Sequence, residues 1–408
     1  MSQIINQIGN FSLTPEQFFA DLRATTRAQF RECAAYRALC DRQEFDPDRD
    51  LQRPGDEVKI PWITSNSFKK SHQLYARLLR EQASAIEIWT TSSGTSGDPS
   101  IVGRATAEMA AYRAAYRAAF AHAAGRERWD LSLLFWPDPD PILARSESMM
   151  NGKVQPYGLH IAHEAGLTHD PKARRFVAQF DPRTRSFSID SEAIIEDLRR
   201  ADGERRAVFL GGSPILIYQA LYRYARERGC SFAFRERCQV QFGAGGWSGR
   251  KGSIQMQEPI PKHEFIPGLC DLLGIHTLRS VNDMWGSTET SFAMPAHFSE
   301  GRKDFLFHAL PWARIILRDP QTLEPVERPG ERGLLEVVTP YGVDSYAGVA
   351  ILVDDVLELV EAKEGPGCQL ADHWYQFIGR AQGAEAKGCG VLAADWVEGG
   401  WSGSDGRP

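Results

Sequence analysis

The run Trp89-Thr90-Thr91-Ser92-Ser93-Gly94-Thr95-Ser96-Gly97-Asp98-Pro99-Ser100 sets five hydroxyl side chains between Thr91 and Ser96 around glycines, with no apolar filler. Glycines at 94 and 97 admit a close backbone approach, and hydroxyls with exposed N–H groups suit the oxygens of a phosphate. The spacing fits neither the G-x-x-x-x-G-K-[ST] loop nor the G-x-G-x-x-G dinucleotide turn. Taken by itself the stretch reads equally as a bare Ser/Gly loop. Ala85 to Trp89 reads as the strand that delivers it, and Ile101-Val102-Gly103 as the strand that leaves it.

A second turn follows further on, Asp283-Met284-Trp285-Gly286-Ser287-Thr288-Glu289. Alone it is a buried tryptophan beside a helix-capping hydroxyl. In this order, the two motifs resemble the signatures of the adenylate-forming superfamily, which includes acyl-CoA synthetases and peptide-synthetase adenylation domains. One departure stands out: most of that superfamily has lysine after the proline, and this chain has Ser100. The resemblance implies that Thr91, Ser92, Ser93, Gly94, Thr95, Ser96 and Gly97 surround the phosphates of ATP. It also implies that Asp283, Trp285, Gly286 and Ser287 border the nucleotide, with the indole stacked on adenine. Thr288 would bond the α-phosphate, and Glu289 would hold Mg²⁺, a hard cation suited to oxygen ligands.

Arg318-Asp319-Pro320 through Glu331-Arg332-Gly333-Leu334-Leu335-Glu336-Val337-Val338 reads as strand, Asp-Pro turn, loop, Pro-Gly turn and strand. In the superfamily this leads to an aspartate that chelates the ribose hydroxyls. Asp355 in Leu352-Val353-Asp354-Asp355-Val356 fits best, with Asp354 open as an alternative. Gly379-Arg380 matches a Gly-Arg pair whose guanidinium reaches ribose or phosphate. Three local features narrow the likeness: Ser100, the run Gly243-Ala244-Gly245-Gly246-Trp247, and the run from Gly379 to Cys389. Together they resemble the acyl-protein synthetases, known from the fatty acid reductase complex of luminous bacteria. That family adenylates a fatty acid and passes the acyl group to cysteine. The likeness implies that Gly245 and Gly246 border the nucleotide, that Trp247 walls the acyl pocket, and that Cys389 is the acyl acceptor. The plainer readings are a core tryptophan beside a tight turn and a small semi-buried cysteine.

The 408 residues, 42% hydrophobic, suffice for one large core. The expected fold is α/β: a multi-layer adenylate-forming large domain over residues 1–378 with a truncated C-terminal subdomain over 379–408. Only 28 residues follow Arg380, so the mobile lysine-bearing module of the superfamily is missing or reduced to a remnant. A net charge of −6 and the lack of a basic run argue against a nucleic-acid surface. No signal-like leader and no bilayer-length apolar run appear, so a cytoplasmic protein without a membrane span is expected. Seven cysteines form no Cys-x-x-Cys pair, and reduced thiols are expected. His160 and His163 are three apart, but no nearby third ligand completes a zinc pattern.

Thr14-Pro15-Glu16-Gln17 predicts a capped helix running to about Cys40 with a reciprocal Gln17 cap. Tyr112, Tyr116 and Phe120 form a core stripe. Leu131 to Trp136 and Ala207 to Leu210 read as buried strands, and Ser213-Pro214 starts a helix ending at Gly229. The expected activity is ATP-dependent conversion of a carboxylic acid, fatty in the resembling family, to acyl-AMP, then transfer to a cysteine of this chain or of a partner such as a reductase or carrier protein. Transfer to coenzyme A, a carrier thiol or an amine, and a non-catalytic adenylate-binding subunit of a reductase complex, are the alternatives.

Overall fold

The computed structural model describes residues 2–92, 98–124, 129–144, 146, 148–150, 152–156, 170–181, 186–243, 245–251, 254–290 and 292–381. A 13-stranded sheet organises it. Its central part is parallel: Arg174–Asp181, Leu131–Pro137, Val208–Gly212, Cys238–Phe242 and Val281–Gly286 lie side by side in that order. Leu131–Pro137 is buried at every position, as expected of a parallel strand covered on both faces. From Val281–Gly286 onward the sheet turns antiparallel. The order there is Ala293–Ser299, Asp304–Phe307, Trp374–Arg380, Ala350–Val360, Arg332–Val338 and Arg314–Arg318. Gly379 and Arg380 therefore end a sheet strand, and the sheet runs unbroken to residue 380.

A separate four-stranded sheet carries the hydroxyl-rich run. Ile88–Thr91 pairs antiparallel with Ile101–Arg104 and parallel with Gly152–Pro156. Helix Thr106–Ala124 leaves this sheet and packs on Ala293–Ser299 and Cys238–Phe242. Its Tyr112, Tyr116 and Phe120 are buried in the core, and the Tyr116 hydroxyl donates to the Phe292 carbonyl at 3.1 Å.

The first long helix departs from expectation. Thr14 caps it, its Oγ1 accepting from the Gln17 N–H at 3.2 Å, but the Gln17 amide donates to Asp21 Oδ1 at 2.9 Å instead of returning to the cap. The helix stops at Glu32. Cys33 adopts extended dihedrals (φ −105°, ψ 105°), and a second helix, Ala34–Arg42, starts immediately. The predicted helix after Ser213 forms at Pro214, although Ile217–Arg223 is wound as a π-helix and Ser213 makes no capping bond. The six described cysteines are free thiols. No described helix is long and apolar enough to cross a membrane.

Candidate active site

The hydroxyl-rich run closes on itself at its base. Ser92 N–H donates to the Ser100 carbonyl at 3.0 Å, and Ser100 N–H donates to Ser92 Oγ at 2.8 Å. The neighbouring segment braces the exit: Lys70 N–H bonds the Pro99 carbonyl at 2.9 Å, and Lys69 Nζ bonds the Asp98 carbonyl at 2.8 Å. Ser93, Gly94, Thr95, Ser96 and Gly97 lie outside the described residues. At the base of the run, Thr91 Oγ1 and Ser100 Oγ are buried with no hydrogen-bond partner among the described residues.

The second motif sits where the parallel strand Val281–Gly286 ends, at the carboxyl edge of the sheet, the edge at which open α/β sheets take ligands. Thr288, Glu289 and Thr290 in the following turn are each 1% exposed. Thr288 Oγ1 is buried with no hydrogen-bond partner among the described residues. The turn's backbone, in contrast, is held firmly. The Tyr346 hydroxyl donates to the Glu289 carbonyl at 2.7 Å, and Arg104 Nη2 donates to the Thr288 carbonyl at 3.0 Å. Ser287 Oγ donates to Thr290 Oγ1 at 3.3 Å within the same turn.

Arg104 is a residue that the motifs did not single out. It ends the strand leaving the hydroxyl-rich run and is fully buried. Its guanidinium also donates to Glu108 Oε1 at 2.8 Å and to the Gly342 carbonyl at 2.7 Å, and it lies 5.1 Å from the Tyr346 ring centroid. Glu108 in turn accepts from Ser345 N–H at 2.8 Å. Burial pushes the Glu108 carboxyl up to about 7 against the pull of the adjacent guanidinium. A charge this deep persists only when paired and fully hydrogen-bonded. The local signal was present in the sequence: an arginine closing an apolar strand, with a glutamate four residues on, ready to pair across one helical turn.

Three predicted nucleotide residues meet directly. Trp285 Nε1 donates to Asp355 Oδ2 at 2.7 Å, and Arg380 Nε lies 3.3 Å from Asp355 Oδ1. Asp355 and Arg380 are cross-strand partners in the antiparallel ladder, which sets their approach. Between the two candidate aspartates, Asp355 is the one turned onto Trp285 and Arg380. Asp354 contributes a backbone carbonyl to Ala381 N–H at 2.9 Å.

Asp283 and Trp247 form a neighbouring unit. Trp247 Nε1 donates to Asp283 Oδ2 at 2.8 Å, and Met284 N–H donates to Oδ1 at 2.8 Å. Burial pushes the Asp283 carboxyl up to about 6, with these two donors pulling the other way. The Trp247 ring packs against Phe242 and Phe305 at 4.9 and 5.5 Å, under Lys262 Nζ. Gly245 and Gly246 hold φ of +69° and +109° just before it, which side chains other than glycine rarely adopt. Cys389 lies outside the described residues, as do His160 and His163.

A long sheet, parallel at its centre and antiparallel beyond Val281–Gly286, together with a separate four-stranded sheet, is the architecture of adenylate-forming ligases. Solved structures with this architecture include an open conformation of a 2-hydroxyisobutyryl-CoA ligase in complex with 2-HIB-AMP and CoA. It matches with a TM-score of 0.58 and 14% identity over 91% of this chain and 76% of that one. The same ligase in its thioesterification state matches with a TM-score of 0.58 and 16% identity, over 90% of this chain and 68% of that one. Within this class the chain belongs to the acyl-protein synthetase LuxE family, whose family model matches residues 16–396. A curated relative, the long-chain-fatty-acid–luciferin-component ligase of Aliivibrio fischeri, is 24% identical over 214 residues. That match spans 52% of this chain and about half (51%) of the relative's own length.

Proposed function

We propose that this chain activates a carboxylic acid as its acyl-adenylate at the expense of ATP and then transfers the acyl group to a protein cysteine. The observation that carries this reading is the meeting of Trp285, Asp355 and Arg380 beside a buried turn whose Thr288 hydroxyl has no partner among the described residues. A buried, unsatisfied hydroxyl is costly to keep, and a phosphoryl oxygen is a ligand that would satisfy it. Thr91 and Ser100 add two further hydroxyls of the same kind at the base of the hydroxyl-rich run.

In this reading Asp355 accepts from the ribose hydroxyls and Arg380 neutralises charge near the ribose or the α-phosphate. Trp285, fixed by its bond to Asp355, offers a face to adenine. Gly286 and Ser287 border the same ring, and Gly245 and Gly246 keep the opposite wall free of side chains. Thr91, Ser92 and the 93–97 segment enclose the phosphates. Glu289 would hold Mg²⁺, a hard cation suited to carboxylate oxygen, and Mg²⁺ bound there would supply charge neutralisation. Trp247 borders the acyl group, and Asp283 is a positioning residue that fixes its indole. The substrate carboxylate attacks the α-phosphorus; an O–P bond forms, the α–β bridging bond breaks, and pyrophosphate leaves with the electron pair. Positioning and charge stabilisation suffice for this displacement, so no covalent catalyst is needed. In the second step a thiolate adds to the acyl carbonyl, a C–S bond forms, and AMP departs. Cys389 is the acceptor this reading assigns, with a partner protein's cysteine as the onward destination. The large sheet, which runs through Arg380, would then belong to the adenylating body, and the residues that follow it would carry the acyl group.

The test is acid-dependent release of pyrophosphate from ATP and Mg²⁺ across a panel of carboxylic acids, fatty acids included. Release with at least one acid, lost in Glu289→Gln without loss of fold, is the expected result. Absence of release across the panel, with ATP bound by the folded protein, would convert the reading to that of a non-catalytic adenylate-binding subunit.

A further inference from the structure

We propose that His122, His297, His308 and Cys368 are the four ligands of a structural Zn²⁺ site that fastens the segment preceding strand Trp374–Arg380 to the sheet and to helix Thr106–Ala124. The four side chains come from four separate places. His122 lies in the last turn of the helix, His297 on strand Ala293–Ser299, His308 directly after strand Asp304–Phe307, and Cys368 in the connection leading to Trp374. Their ligand atoms nevertheless all lie within 4.8 Å of one another. Two of the separations are already those of a tetrahedral edge: Cys368 Sγ to His122 Nε2 is 3.3 Å, and His297 Nε2 to His308 Nε2 is 3.4 Å. Zn–N and Zn–S bonds of about 2.0–2.3 Å place neighbouring tetrahedral ligand atoms roughly 3.3–3.7 Å apart.

The surroundings prepare the donors. His308 Nδ1 lies 2.8 Å from the Ala309 carbonyl, which can only accept. Nδ1 therefore carries the proton, and Nε2 presents a lone pair to the cluster, the arrangement that fixes a metal-binding imidazole. The backbone N–H groups of Leu370 and Ala371 face the Cys368 sulfur. The His297 and His308 rings stack at 5.4 Å and 7°, and Trp374 closes one side with its ring 5.2 Å from His308. Phe11 covers His122 at 5.6 Å. Three imidazoles and one thiolate suit Zn²⁺ among common divalent ions, and a site closed by four protein ligands is structural rather than catalytic.

Position agrees with that assignment. His297 pairs with Asn282, at the start of strand Val281–Gly286, whereas the proposed nucleotide site lies beyond its end. That is four residues away, or about 13 Å along the strand. Cys368 precedes strand Trp374–Arg380, His308 follows strand Asp304–Phe307 and His297 lies on strand Ala293–Ser299, three neighbours in the sheet, so a shared metal would hold the start of the strand whose last residue is Arg380.

The experiment uses the full chain without a polyhistidine tag, purified without chelators from zinc-supplemented medium. Elemental analysis is expected to give about one zinc per chain, falling to a small fraction in Cys368→Ser and in the double variant His297→Asn/His308→Asn. Exchange of the parent protein into Co²⁺ is expected to give intense tetrahedral d–d bands and a thiolate-to-cobalt charge-transfer band, the latter absent from Cys368→Ser. A strong chelator is expected to lower the parent's melting temperature and to leave that of the double variant unmoved. Substoichiometric zinc in the folded parent, together with only the weak spectrum of hydrated Co²⁺, would overturn the proposal. So would undiminished zinc in the double variant, which would make the bound zinc adventitious. Both readouts concern the parent as well as the variants, so a variant that fails to fold does not spare the proposal.

Discussion

Arg104 reaches from the strand that leaves the hydroxyl-rich run to the backbone carbonyl of Thr288, 3.0 Å away, and so joins the two motifs through a single buried guanidinium. The hydroxyl-rich run and the Thr-Glu turn belong to different sheets, and this bond, with those to Glu108 and Gly342, ties the two together.

Arg104→Met should therefore be among the most destabilising substitutions in the chain. It leaves Glu108 buried and without its cation, a loss of about 3–5 kcal/mol by analogy with other broken buried pairs. The double variant Arg104→Met/Glu108→Leu should recover much of that loss while adenylation stays impaired, because the Thr288 carbonyl remains untethered. Denaturant unfolding of the single and double variants checks the first part, and a double variant no more stable than Arg104→Met would refute it. Pyrophosphate release checks the second.

Thr288→Val separates binding from stability. The hydroxyl has no partner among the described residues, so replacing it with a methyl group removes an unsatisfied buried polar atom at nearly constant volume. Stability should be unchanged or slightly raised. Adenylation should fall about 10²–10³-fold, the usual loss of one preorganised transition-state donor. Thermal melting and pyrophosphate release measured on the same preparation give both values. A variant as active as the parent would remove Thr288 from the site.

What the sequence made legible was local. The hydroxyl-rich run, the Trp-Gly-Ser-Thr-Glu turn and the Asp-Asp and Gly-Arg pairs could each be read from adjacent residues. The antiparallel ladder then brought Asp355 and Arg380 together from positions 25 apart. The break at Cys33 was not legible, because a run of helix formers continues through it and the change of direction answers tertiary packing. The reciprocal cap failed because Gln17 found Asp21 one turn on. The His-Cys cluster was invisible for a plainer reason. Its members, 122, 297, 308 and 368, share no spacing, whereas His160 and His163, which do, stand outside the described residues. Local spacing betrays a metal site only when the ligands share a turn or a helix face.

Asp283 predicts a pH dependence of stability. Burial raises its carboxyl from 3.8 to about 6 in the folded protein, so between these values the folded state holds a proton that the unfolded chain has released. Its contribution is fully present below the unfolded value and is lost as pH rises through about 6. Asp283→Asn, neutral throughout, lacks this term. The stability of the parent minus that of the variant should therefore decline by up to about 3 kcal/mol as pH rises from about 4 to about 6.5. Urea unfolding at several pH values measures it, and a difference that is flat or rising over this window would refute the assignment.

Cys389→Ser separates the two chemical steps. If Cys389 is the acyl acceptor, it acts only once the mixed anhydride exists, so acid-dependent pyrophosphate formation should remain near the parent level. Serine is close in size, but its hydroxyl stays un-ionised near neutral pH, and nucleophilicity falls with little change in packing. Incubation with ATP, Mg²⁺ and an accepted radiolabelled acid, followed by denaturation, should leave label on the parent that hydroxylamine releases and that maps to the C-terminal peptide. The serine variant should carry no hydroxylamine-labile thioester. Equal labelling of the variant, or an unlabelled parent that still forms acyl-adenylate, would assign the acyl group to an external acceptor, such as coenzyme A, a carrier thiol or an amine. Offering each of these to preformed acyl-adenylate would then identify which one consumes it.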